Sequence, residues 1–140
     1  MAVIKGGSSL YGVSLAIFQK VSVALQNDCE VFDGFLPEEK TSVDFPYAII
    51  EDMIEGQENL LNRAVRVTVV TIKIYTAYRG TKRAKLLAGK LVDALEEMDL
   101  SPEEGWAFPK TQYLDTRFLQ EDDVRFTAIM RFEVRAQKLA

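Results

Sequence analysis

The chain has 140 residues, 48% of them hydrophobic and 27% charged, which is the size and composition of one globular domain. Its formal charge of −4 argues against a protein that binds nucleic acid mainly by neutralising phosphates, since such binding needs clustered Lys and Arg. Without histidine it has no Ser-His-Asp or Cys-His arrangement, and its one cysteine, Cys29, cannot form an internal disulfide. No apolar run is long enough for a membrane span, and polar residues interrupt the segment after Lys5, so we expect no signal peptide.

Apolar residues recur at helical spacing near the start of the chain and predict a first helix over residues 9–27. Ser8 or Ser9 stands where a side chain would cap this helix. Leu15, Phe18 and Val23 fall outside the main apolar stripe. The helix therefore carries a second apolar face, which needs a partner.

Three strands are predicted between the helices. Short β-prone runs cover residues 30–35 and 47–54, and residues 55–62 are typical of a connection. The strongest strand covers residues 63–76, where the apolar alternation changes phase near Val69-Val70. That change predicts a bulge or a change of packing partner.

A second helix over residues 81–98 and a loop over residues 99–110 follow. Two strands, over residues 111–120 and 124–136, are joined by the turn Glu121-Asp122-Asp123. This order predicts one α+β domain spanning the chain: two helices packed on a mainly antiparallel sheet, with one long strand or extended hairpin. The last strand places Arg125, Arg131 and Arg135 on one face, the most basic surface expected.

The charges of the second helix oppose its dipole. Arg79, Lys82 and Arg83 crowd its start, whereas Glu96 and Glu97 crowd its end. One interpretation is a solvated helix that tolerates a small penalty. The other is a head-to-tail contact, in which the basic end meets an acidic surface of a neighbouring copy.

The acidic turn is the one candidate for metal-dependent chemistry. Asp122 and Asp115 lie across the same predicted hairpin and could hold a divalent cation, as in a small metal-dependent enzyme or nuclease. A solvated turn is the alternative, because adjacent residues at a turn point apart. We expect no cofactor, no bound metal and no enzymatic activity.

Several segments together resemble the small tail-completion, or tail-terminator, proteins of long-tailed bacteriophages. The resemblance covers roughly residues 9–137 and rests on four segments: Val31-Phe32-Asp33-Gly34 before Pro37, Phe45-Pro46-Tyr47-Ala48-Ile49-Ile50, Tyr75-Thr76-Ala77-Tyr78-Arg79-Gly80-Thr81-Lys82-Arg83-Ala84, and Arg131-Phe132-Glu133-Val134-Arg135.

The resemblance implies a virion structural protein that forms a ring, typically of six copies, at the head-proximal end of the tail. Such a ring ends growth of the tail tube and joins a head connector or head-closure protein, while DNA passes through it without tight binding. Another neck adaptor is the alternative within this class. For the ring contact we expect charged groups at Arg79, Lys82 and Arg83, and apolar groups at Phe18, Ile72 and Ile74.

Overall fold

The computed structural model describes residues 7–34, 46–60, 62–77, 81–96, 100–121 and 125–139. These residues form two helices and six strands. In chain order they are α1 (Leu10–Leu25), β1 (Glu30–Asp33), β2 (Tyr47–Gln57), β3 (Val65–Ala77), α2 (Lys82–Glu96), β4 (Leu100–Glu103), β5 (Trp106–Gln120) and β6 (Arg125–Lys138).

The strands form one mixed sheet in the order β1-β2-β3-β6-β5-β4. Only the β1–β2 pair is parallel, and every other neighbouring pair is antiparallel. The α+β class and the mainly antiparallel sheet are therefore confirmed. The two longest strands are β5 and β6 rather than the predicted long strand, which is β3.

Strict alternation along β3 separates the two faces of the sheet. Its even-numbered side chains, from Arg66 to Thr76, are buried, while the odd-numbered ones from Val67 to Ala77 are half-buried. The buried face packs against both helices in one hydrophobic core. The opposite face, called the outer face below, carries the odd-numbered residues of β3 and β6.

Each helix adds one apolar stripe to this core. From α1 the stripe contains Val13, Ile17, Val21 and Leu25, and from α2 it contains Ala84, Leu87, Leu91 and Leu95. Both stripes follow the spacing that predicted the helices. At the start of α1, Ser8 Oγ accepts a hydrogen bond from the Leu10 N–H at 3.1 Å. Ser9 instead donates to Glu55 Oε2 through its N–H, at 2.8 Å, and its hydroxyl, at 2.6 Å.

Of the two alternatives predicted for β3, a bulge or a change of packing partner, the bulge is wrong. β3 pairs with β6 without interruption from Val65↔Gln137 to Ala77↔Arg125. The irregularity lies in the neighbouring strand, where the β2–β3 register shifts between Ile50 and Met53. The apolar phase of β3 changes because Val67 and Val69 lie on the outer face, where their side chains remain half-buried.

Three other boundaries differ from the prediction. β2 extends to Gln57, into the segment predicted as a connection. β4 lies within the predicted loop 99–110, and β5 also begins there, at the buried Trp106. β5 continues through Pro109, which the prediction had placed in the loop. The middle of the predicted turn, including Asp122, lies outside the described residues.

Candidate assembly surfaces

The apolar residues predicted for a subunit contact do not form one surface. Ile72 and Ile74 are fully buried beneath the helices, so they belong to the core and have no surface to offer a second copy. Phe18 is half-buried against that core. Of the second apolar face of α1, only Val23 is strongly exposed, at 65%.

The basic end of α2 has an acidic partner inside the same chain. Asp28 follows α1, and its Oδ2 accepts a hydrogen bond from Lys90 Nζ at 2.6 Å. Arg83 Nη2 lies 3.8 Å from the Asp28 Oδ1 atom. The Asp28 side chain is only 15% exposed, so this carboxylate ties the end of α1 to one side of α2. Lys82 is exposed, and Arg79 lies outside the described residues.

Carboxylates accompany the arginines of the outer face. Arg131 forms a two-pronged contact with Asp115, with 2.9 Å from Nε to Oδ1 and 2.5 Å from Nη2 to Oδ2. Arg135 Nη2 lies 3.0 Å from Glu58 Oε1. Lys73 Nζ similarly lies 2.6 Å from Glu51 Oε2. At Lys73, Arg131 and Arg135 the outer face therefore carries paired charges rather than a purely basic stripe.

The Asp115–Arg131 pair bears on the metal hypothesis. The guanidinium of Arg131 donates hydrogen bonds to Asp115 and holds the pKa of that carboxyl below its ordinary value. Together with Thr116, Arg117 and Ile129, this pair lines an outer-face cleft of about 450 Å³. Within the described residues, no three potential acidic, thiol or imidazole ligands come together to hold a metal ion.

Three aromatic rings cluster at one end of the outer face. Tyr47 and Tyr75 stack with ring centroids 4.8 Å apart, and Phe32 meets Tyr47 edge-on at 6.4 Å. Burial raises the pKa of both tyrosines. The register that pairs Tyr47 with Tyr75 brings these rings together. Alternation within each strand could not have identified this pair, because it does not determine the register between β2 and β3.

Exposed apolar side chains occur at positions outside the residues predicted for the ring contact. They lie on both helices and on strands β2 and β5: Tyr11, Val23, Ile54, Leu86 and Leu119. Sequence periodicity identifies the residues of the helix stripes but not which off-stripe residue stays exposed. No helix in the described part of the chain has both the length and the apolar character to cross a membrane.

Comparisons with known proteins agree with the tail-completion resemblance. Among solved structures, one chain is from "Virion of native gene transfer agent (GTA) particle". It superposes with a TM-score of 0.74 at 18% identity, over 94% of this chain and 99% of that chain. No curated protein matches this sequence. The family model described as "Tail completion protein gp17" matches residues 21–137, which is most of the chain. This protein therefore belongs to the tail completion protein gp17 family.

Proposed function

We propose that this protein is a structural component of a phage-type virion that forms a ring at the head-proximal end of the tail. The ring, rather than the isolated chain, is the working unit: six copies end growth of the tail tube and offer a joining surface to a head connector or head-closure protein. The family match over residues 21–137 carries this proposal. The fold shared with a chain of the gene transfer agent virion supports it.

The surface chemistry fits a channel that lets DNA pass without gripping it. The net charge is −4, and Arg131 and Arg135 each contact a carboxylate of the same chain. Lys and Arg side chains without a carboxylate partner would bind the DNA phosphates tightly, and that affinity would fall as salt is added. We therefore infer weak DNA binding at physiological salt, and a role in assembly rather than catalysis.

Deletion of the gene from its phage tests this function directly. We expect electron microscopy of the lysate to show overlong tails and heads without tails. Expression of the wild-type chain from a plasmid should restore tails of normal length joined to heads. Normal tails on infectious particles that lack this chain would contradict the proposal. Tails of normal length that fail to join heads would contradict termination of the tube.

A further inference from the structure

The end strands of the sheet, β1 and β4, are short and cover only part of their neighbours, β2 and β5. β4 pairs with β5 through Phe108 and Trp106 only, and β1 pairs with β2 through residues 47–50 only. Within the described residues, no strand lies along β5 beyond residue 110 or along β2 beyond residue 52. These two stretches are called the β5 edge (residues 115–120) and the β2 edge (residues 53–57).

Hydrogen bonds to the neighbouring strands β6 and β3 fix which amides of the two edges point outward. The Glu121 N–H donates to the Arg125 carbonyl at 2.9 Å, and the register with β6 is regular back to Asp115. Because antiparallel residues alternate in direction, the N–H groups of Thr116 and Phe118 point away from β6. The Glu58 N–H donates to the Val65 carbonyl at 3.0 Å, which likewise turns Met53, Glu55 and Gln57 away from β3.

Each edge lacks lysine and proline, although Asp115, Arg117 and Glu55 give it some charge and the β2 edge begins at the register shift between Ile50 and Met53. Natural edge strands are blocked by lysine, proline, bulges or a covering element. A bulge at Leu114 ends before the β5 edge begins, and the β5 edge contains no lysine or proline while exposing Phe118 and Leu119. The β2 edge also lacks both residue types, and its Ile54 is 70% exposed. Such edges are suited to pairing with another strand.

Opposite charges distinguish the two edges. Residues 47–60 contain four carboxylates and no Lys or Arg, and two of the four, Glu51 and Glu58, contact Lys73 and Arg135 of the same chain. Within the β5 edge, Asp115 is paired with Arg131, whereas Arg117 is exposed, and Lys85 of α2 lies nearby with its Nζ 6.0 Å from the centre of the Phe118 ring. Arg117 and Lys85 of one copy would therefore be attracted to Asp52 and Glu55 of the next.

We infer that the β5 edge of one copy pairs with the β2 edge of the next, so that the sheet continues from copy to copy. A contact between two different surfaces of the same chain is heterologous, and it closes into a ring when the rotation between copies permits. The partner is thus a second copy of this chain. This inference rests on the proposed ring and assigns its contact.

Proline substitution with a matched alanine control tests each edge. Phe118→Pro removes an outward N–H from the β5 edge, whereas Phe118→Ala removes the same ring and keeps the N–H. Gln57→Pro and Gln57→Ala form the same pair on the β2 edge. Since proline is tolerated where the N–H faces outward, we expect the circular dichroism of all four variants to match the wild type. Wild-type and alanine chains should assemble, and each proline variant alone should stay monomeric by light scattering.

Mixing the two proline variants shows whether the contact is heterologous. Phe118→Pro retains an intact β2 edge and Gln57→Pro retains an intact β5 edge, so the mixture should form a complex of two chains and no ring. A contact between two β5 edges would instead let Gln57→Pro dimerise alone. That result, or rings formed by Phe118→Pro, would overturn the inference while leaving the proposed function intact. A wild-type chain that forms no ring, alone or on tail tubes, would contradict the proposed ring itself.

Amide hydrogen exchange of the wild-type ring provides a measurement that does not depend on the folding of any variant. Assembly should slow exchange at Phe118 and Glu55 by at least about tenfold, because their N–H groups would become hydrogen-bonded. Glu104, an exposed residue in the turn before β5, is a control whose amide exchange should not change. Unchanged exchange at both edges in a verified ring would overturn the inference.

Discussion

A Cβ atom placed on Gly12 would lie 2.9 Å from the carbonyl oxygen of Glu103. Gly12 is buried in the first turn of α1, and Glu103 ends β4. The missing side chain lets the helix approach the strand backbone, which cannot swing aside as a flexible side chain would. Gly89 in α2 provides the contrast, since a Cβ placed there meets no atom within 4 Å.

We therefore predict opposite effects of the same substitution in the two helices. Gly12→Ala should lower the free energy of unfolding by about 1 kcal/mol, because an overpacking cost of about 1–3 kcal/mol exceeds the gain in helix propensity. Gly89→Ala should raise it by about 0.5–1 kcal/mol, since only the propensity changes. Urea denaturation measures both. If Gly12→Ala stabilises the chain, the backbone of α1 must lie farther from the Glu103 carbonyl than a 2.9 Å contact to a Cβ atom implies.

The sequence predicts the helices of this fold better than its strand partners. Each helix stripe that faces the core follows from spacing alone, because 3.6 residues per turn determine which side chains share a face. The phase change in β3 could not be assigned in the same way. Val67 and Val69 are apolar yet lie on the outer face, and the irregular register belongs to β2. Strand pairing is a long-range property that local alternation does not contain.

The burial of Ile72 leads to a second prediction, for which Ile54 is a matched control. Ile72 is fully buried, so Ile72→Ala should cost about 2–5 kcal/mol of monomer stability. Ile54 is 70% exposed, and Ile54→Ala should change the monomer by less than about 0.5 kcal/mol. Thermal or urea denaturation of the monomeric chain distinguishes the two. Equal, small effects would show that Ile72 is exposed, as its predicted place in the ring contact requires, and not part of the core.

The basic surface predicted at the start of α2 is partly neutralised by Asp28, a residue that the sequence pattern did not single out. Asp28 lies between the helices in the chain, more than fifty residues from Arg83, and only the packing of α1 against α2 brings them together. The cationic start of α2 is therefore partly compensated within the chain. Lys82 stays exposed, and its role in a contact between copies remains a prediction.

Separate charge reversals of Lys82 and Arg83 test that role. Arg83→Glu should lower monomer stability, by about 1 kcal/mol, because it replaces an attraction to Asp28 with a repulsion. Lys82→Glu should leave the monomer unchanged within about 0.5 kcal/mol, since the side chain is exposed. If the basic end of α2 meets an acidic surface of another copy, Lys82→Glu should still impair ring formation. Normal rings and normal tails with Lys82→Glu would refute the head-to-tail charge hypothesis.

The charges of Asp28 and Arg83 also act on the thiol of Cys29. Burial first and the neighbouring Asp28 second raise the pKa of this thiol, Arg83 opposes them, and the pKa that results is about 11. A thiol normally titrates near pH 8.5, so at pH 8 the folded chain should contain about 200-fold less thiolate than an exposed cysteine. Because the folded pKa lies above the unfolded one, the contribution to stability is present below the unfolded pKa and is lost as pH rises through about 11.

Alkylation by iodoacetamide across a range of pH measures this pKa. We expect the rate for the folded chain to rise with a midpoint near pH 11, and that for the urea-unfolded chain near its ordinary value. Reduced access alone would slow the reaction without moving the midpoint. Asp28→Asn should lower the midpoint because it removes a negative charge, whereas Arg83→Gln should raise it because it removes a positive one. Identical midpoints in the folded chain and both variants would show that these two charges do not control the Cys29 thiol, and equal midpoints in the folded and unfolded chains would show that burial does not control it.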